Sequence, residues 1–147
     1  MGHIPNDAKW WYAELVEEIT VQGDSRNVVH RNVTLIRADS SEEAYSRALE
    51  LGKNGETSYL NLAGREVQIR FRGIAELDVI DEELDDGAEL MFFRSIGMAE
   101  KELQALIKPK DKLNAFVPPR GCPEEGVPDY GAANVIREAL RMMEDNS

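Results

Sequence analysis

The stretch EVQIRFRGIAELDV, from Glu66 to Val79, decides the fold. Val67, Ile69, Phe71, Gly73, Ala75, Leu77 and Val79 are apolar or small, and between them fall Glu66, Gln68, Arg70, Arg72, Glu76 and Asp78. Successive side chains on a strand point to opposite faces, so this alternation specifies a long strand with one buried and one wet face. Such strands belong to antiparallel sheets, which pack one face and leave the other to solvent. Gly73 marks a bend or bulge, because a glycine inside a strand has nothing to pack.

On the N-terminal side, Trp10 to Val21 reads as a first strand. Trp11, Ala13, Leu15, Ile19 and Val21 share its apolar face, with Glu17 as the one charged member. Gln22-Gly23-Asp24-Ser25 is turn chemistry. A second strand runs from about Val28 to Ala38, completing a hairpin. There Val33 and Leu35 share a face with Arg31 and Arg37, while Ile36 and Ala38 point the other way. Ser40-Ser41-Glu42-Glu43 is a capping box, and Ala44, Tyr45, Ala48, Leu49 and Leu51 follow at helical spacing. Gly52 is placed to end that helix in the left-handed conformation. Lys53 to Glu56 reads as a loop, and Ser58 to Asn61 leads to a turn at Ala63-Gly64.

Beyond the long strand lies an acidic turn, Asp81 to Gly87. Ala88 to Ile96 reads as a fourth strand, with Leu90 and Phe92 on one face and Met91 and Phe93 on the other. Apolar residues on both faces indicate burial on both sides or an interface. A second helix is expected from Gly97-Met98 to about Ile107, stopped by Pro109. Residues 108–131 are rich in proline and glycine and read as a linker or draped loop. Val135, Ile136, Ala139, Leu140 and Met143 then give residues 132–147 an amphipathic helix. The expected organisation is a flexible N-terminus at 1–9, an α+β domain at 10–107, the linker, and this terminal helix. The expected fold is α+β: a four-stranded antiparallel sheet in the order ββαββα, helices on one face and a C-terminal helical appendage.

The 147 residues carry a formal charge of −11. That charge disfavours nucleic acid, whose binders gain affinity by neutralising phosphates, and disfavours anionic membranes for the same reason. A basic protein partner suits it better. Cys122 is the one cysteine, which excludes an internal disulfide and a cysteine zinc site. No apolar stretch is long enough to span a membrane, and the N-terminal residues lack a leader's basic and apolar regions. A cytoplasmic protein is expected.

Several segments also resemble, in order, a mainly bacterial uncharacterised family catalogued as domain of unknown function 4288. They are Trp11-Tyr12-Ala13, then Thr34-Leu35-Ile36-Arg37-Ala38 with Ser41-Glu42-Glu43-Ala44. Gly52-Lys53 and Ser58-Tyr59-Leu60-Asn61 follow, then Val67 to Gly73, and last Asp86-Gly87-Ala88-Glu89 with Arg94-Ser95. The resemblance covers about residues 10 to 107. It implies a small soluble domain and carries no assigned activity.

Candidate functional groups are few. Asp78, Asp81, Glu82, Glu83, Asp85, Asp86 and Glu89 have no basic residue among them. Their spacing is not that of a calcium loop, which leaves a solvated turn or a docking patch for a basic partner. Arg70 and Arg72 share the polar face of the long strand, where pairing with Glu14 or Glu18 is the simplest role. Trp10 and Trp11 are adjacent, so one is core and the other is free to bind a partner or lie under the C-terminal helix. His30 is the one histidine within the fold. It could serve a sheet-face pocket with Glu17, Arg70 and Arg72, whereas a bulge would turn Glu17 outward. No nucleophile, phosphate loop or metal set stands out, so no catalytic residue and no cofactor is assigned. The reading is a non-enzymatic protein–protein interaction module with Asp81, Glu82, Glu83, Asp85, Asp86, Trp10, Phe93, Arg70 and Arg72 as binding candidates. An immunity-like protein neutralising a basic toxin is one version of it. A homodimer through a sheet edge or through Phe92 and Phe93 is another arrangement. A small enzyme or ligand binder is the competing class.

Overall fold

The computed structural model describes residues 10–118 and 126–145. Four strands form one antiparallel sheet: β1 (Trp10–Val21), β2 (Val28–Arg37), β3 (Thr57–Leu60) and β4 (Glu66–Val79), in the spatial order β2-β1-β4-β3. Helix α1 (Ser41–Asn54) connects β2 to β3, and α2 (Glu100–Leu106) and α3 (Ala133–Asp145) follow the sheet. The chain is α+β, with the element order ββαββα and a further C-terminal helix.

The long alternating stretch is β4, and it pairs with β1 along its whole length. Its alternation is interrupted twice. Glu14 lies opposite Glu76 while Leu15 lies opposite Ile74, and Val16 lies opposite Gly73 while Glu17 lies opposite Phe71. Ala75 and Arg72 are therefore the extra residues of two bulges. Between the bulges the phase is inverted. Gly73 joins the open face instead of the packed face, and Ile74 turns inward to pack on the core. Gly73 takes φ 139°, a conformation that side chains rarely adopt.

The packed face of the sheet holds two apolar clusters. Trp11, Ala13, Leu15, Ile36, Ala38 and Val79 lie under α1, which contributes Ala44 and Ala48. The Trp11 indole N–H donates to the Ala38 carbonyl at 2.9 Å, satisfying its one donor inside the core. Ile19, Val21 and Val67 form the second cluster, beyond the reach of α1.

Ser40 caps α1 as its sequence promises, accepting from the Glu43 amide at 3.1 Å. Glu43 reaches back to the Asp39 amide at 3.3 Å, one residue before the cap. Gly52 does not end the helix. It is buried within α1, and the C-cap is Gly55. A Cβ at Gly52 would come within 2.4 Å of the Phe71 ring, so close packing against β4 sets this glycine. Gly52→Ala gains about 1 kcal/mol of helix propensity. The overpacking cost of about 1–3 kcal/mol opposes it. The expected net result is a lower urea midpoint; a raised midpoint would show that the Phe71 ring yields freely.

Three other elements differ from expectation. The third strand in chain order is the four-residue β3, paired with Val67 to Ile69 and Glu66 of β4. Ala88 to Ile96 forms no strand. Both sheet edges, β2 and β3, remain without a further partner among the described residues. Helix α2 is also shorter than expected and buries none of its residues, so α1 is the helix that covers the sheet.

Candidate functional site

Two surfaces stand out, one on each side of the sheet. On the open face, Tyr12, Glu14, Val16 and Glu18 of β1 lie beside Leu35, Val33, Arg31 and Val29 of β2. Glu14 pairs with Arg31 at 2.8 Å and Glu18 with Arg72 at 3.5 Å. These are exposed pairs of the kind that contribute little stability. Burial, and then the carboxylates of Asp78, Glu76 and Glu14, push the Tyr12 hydroxyl above its ordinary value.

The chain leaving β4 returns along this face. Residues 84–91 and the sheet leave between them an apolar groove of about 410 Å³, lined by Tyr12, Val33, Leu35, Leu84, Leu90 and Met91. The acidic turn forms the rim of this region. Glu82 accepts from the Glu89 amide at 2.6 Å and Asp85 from the Asp86 amide at 2.7 Å, which closes the loop on itself. Among the described residues no three histidine, cysteine or acidic side chains converge to hold a metal ion.

Beyond the groove large apolar side chains stand uncovered among charged ones. Phe92 is 71% exposed, Phe93 88% and Ile96 83%. The exposed apolar run continues through Leu103, Leu106, Ile107, Leu113, Phe116 and Val117. The two-sided pattern of Ala88 to Ile96 therefore does not reflect burial on both sides: Ala88 and Met91 are half-buried over the sheet and the rest are exposed.

On the packed face, the second cluster is covered by a strap, residues 126–130. Tyr130 packs against Ile19, Val21 and Val67 and meets the His30 ring edge-on at 5.4 Å between centroids. Arg26 donates to the Gly126 carbonyl at 2.7 Å, Asn61 to the Asp129 carbonyl at 3.0 Å, and the Tyr59 hydroxyl to the Tyr130 carbonyl. Burial first, then Tyr130 and Asp129, push the Tyr59 hydroxyl upward. Asn61 is 3% exposed, and its carbonyl oxygen also accepts from Ala63 and Arg65 to close the turn before β4.

Arg26 is itself held by Asp24, whose carboxylate accepts from its side chain and its backbone amide. Those hydrogen bonds hold the Asp24 carboxyl down at about 2. Its contribution to the fold is therefore present above the ordinary carboxylate range and is lost as pH falls through about 2. An NMR titration should place the Asp24 midpoint near 2, and Arg26→Gln should return it towards the ordinary range. An unshifted midpoint in the parent protein would refute the contact.

The sequence candidates divide between these surfaces. Trp11 is the core tryptophan, whereas Trp10 is half-buried on the open face with the Arg37 guanidinium 5.7 Å from its ring. Arg70 lies opposite Glu18 in register, on the open face with Arg72. His30 and Glu17 lie opposite each other on the packed face. The sheet itself thus separates the four groups imagined in one pocket. Glu17 is not turned outward, because the bulges fall on β4; its carboxylate approaches the end of α1 at Gly55. Asp81, Glu82, Glu83, Asp85 and Asp86 are all exposed, and Asp81 and Glu82 line a hollow with Phe92. Cys122, His3 and the N-terminal residues 1–9 lie outside the described residues. Sequence reading assigns no contact to Arg26 and Tyr130, and the cue at Asn61, a polar residue before Ala63-Gly64, shows the turn without showing the strap.

The family model for a domain of unknown function (DUF4288) matches residues 10–92, more than half of the chain, and the protein belongs to that family. The match takes in the whole sheet, α1 and the groove, and it ends before α2 and the strap. No curated protein and no solved structure matches the chain. No helix among the described residues is long and apolar enough to cross a membrane.

Proposed function

We propose that this member of the family is a protein–protein interaction module that works by docking a basic, partly apolar protein surface. The carrying observation is the exposed apolar run from Leu90 to Val117, which includes a helix that buries nothing. An isolated seven-residue helix is marginal in water, because nucleation costs more than so few hydrogen bonds return. Clustered exposed aromatics of this kind mark interaction surfaces. The chemistry of the partner follows from the rim. Seven carboxylates from Asp78 to Glu89 have no basic residue among them, and Asp78, Asp81, Glu82 and Glu89 line a hollow with Phe92. Such a rim steers a cationic surface in and rejects an anionic one. A basic toxin neutralised by an immunity-like partner is one case of this chemistry.

A cytoplasmic site of action is part of the same proposal, since a lone cysteine suits a reducing compartment. The test is affinity capture from host lysate with the full chain, alongside a variant with Asp81, Glu82, Glu83, Asp85 and Asp86 reversed to lysine. One stoichiometric basic partner, released by salt and lost in the variant, is the expected result. A partner retained equally by the variant would remove the electrostatic part of the proposal. Self-association alone, seen by sedimentation, would replace the basic partner by a second copy.

A further inference from the structure

We infer a second binding site on the opposite side of the sheet: a groove that takes a peptide of the type Pro-x-Tyr, filled here by the chain's own residues 126–130. Arg26, Asn61 and Tyr59 each donate a side-chain hydrogen bond to a backbone carbonyl of the strap, at Gly126, Asp129 and Tyr130. Backbone carbonyls are common to any peptide, so these three donors read the path of the backbone, a turn at Gly126 (φ 80°) and a bend at Val127 leading into residues 128–130, and not its sequence. Sequence is read by what is buried. Pro128 is buried and Tyr130 is half-buried over Ile19, Val21 and Val67, with its ring against His30.

Two observations separate receptor from occupant. No backbone–backbone hydrogen bond joins residues 126–130 to the sheet, so the strap is held by side chains and is not a fifth strand. All three donors lie within the family match at residues 10–92, whereas the strap lies beyond it. The apolar floor also lies where α1 does not reach, so an occupant is needed to cover it. A tethered occupant competes at a high effective concentration, and a peptide in trans is correspondingly weakened by the fraction of grooves already filled.

The test uses the full chain and a fluorescein-labelled peptide Gly-Val-Pro-Asp-Tyr-Gly, the sequence of residues 126–131. Tyr130→Ala weakens the resident strap, and fluorescence anisotropy should then show the peptide binding at least about tenfold tighter than to the parent chain. Adding Asn61→Asp to Tyr130→Ala should weaken that binding. This change keeps the acceptor that closes the turn but removes the donor to the strap. Tyr59→Phe should act in the same direction. Circular dichroism checks that each variant is folded. Should Tyr130→Ala fail to fold, Pro128→Gly removes the other buried group and serves the same purpose. Folded strap variants that bind the peptide no better than the parent would overturn the inference. So would binding indifferent to both Asn61→Asp and Tyr59→Phe.

Discussion

Trp11→Ala is expected to destabilise the protein by about 3–5 kcal/mol, the range for deleting a large aromatic from a packed core. Trp11 is 2% exposed and packs at the centre of the cluster between β1 and α1. Its loss leaves a cavity and also strips the Ala38 carbonyl of its indole donor, so two costs add. Trp10→Ala, one residue away, is expected to cost far less. Trp10 lies on the open face, and its ring meets the exposed Arg37 guanidinium, a contact worth about 0.5–1 kcal/mol. The contrast reads out the register directly, since a one-residue slip of β1 would exchange the two faces. Urea unfolding of both variants gives the answer. Equal losses would contradict the assignment of faces.

Replacing Phe92 and Phe93 by serine together is expected to abolish partner capture while leaving stability within about 0.5 kcal/mol of the parent, as for other exposed positions. Both rings are uncovered, so the folded chain loses little packing with them. In a complex the same rings are the natural anchors, and buried aromatic anchors contribute about 2 kcal/mol or more each. Two such losses weaken binding by about three orders of magnitude. Capture undiminished in a folded double variant would show that the partner docks elsewhere.

The parts of the fold legible in the sequence are those where one period governs a long run. β1 and β4 show strand alternation, β2 shows it poorly, and α1 begins at a cap that needs only Ser40 and Glu43. Legibility fails where a distant contact decides. Gly52 looks like a helix terminator and is instead a contact point for Phe71. Ile74 looks misplaced until the two bulges of β4 are seen, because bulges shift the phase without changing composition. β3 is four residues long and mostly exposed, too short for a periodic signal. Ala88 to Ile96 has strand-forming residues but no strand beside it to pair with, and propensity alone makes no sheet. The acidic loop and Phe93 could be picked out from the sequence as surface candidates. The strap could not, since Asp129 and Tyr130 are far along the chain from their respective partners Asn61 and Tyr59.

Amide hydrogen exchange across residues 90–117, in the free monomer and in the captured complex, tests the docking role most directly. In the monomer the α2 amides are expected to exchange close to the unfolded rate, because nothing packs on them. In the complex they are expected to gain strong protection together with the backbone of Phe92 and Phe93. Firm protection of α2 in the monomer, unchanged in the complex, would show a segment stable without a partner and would contradict the proposed function.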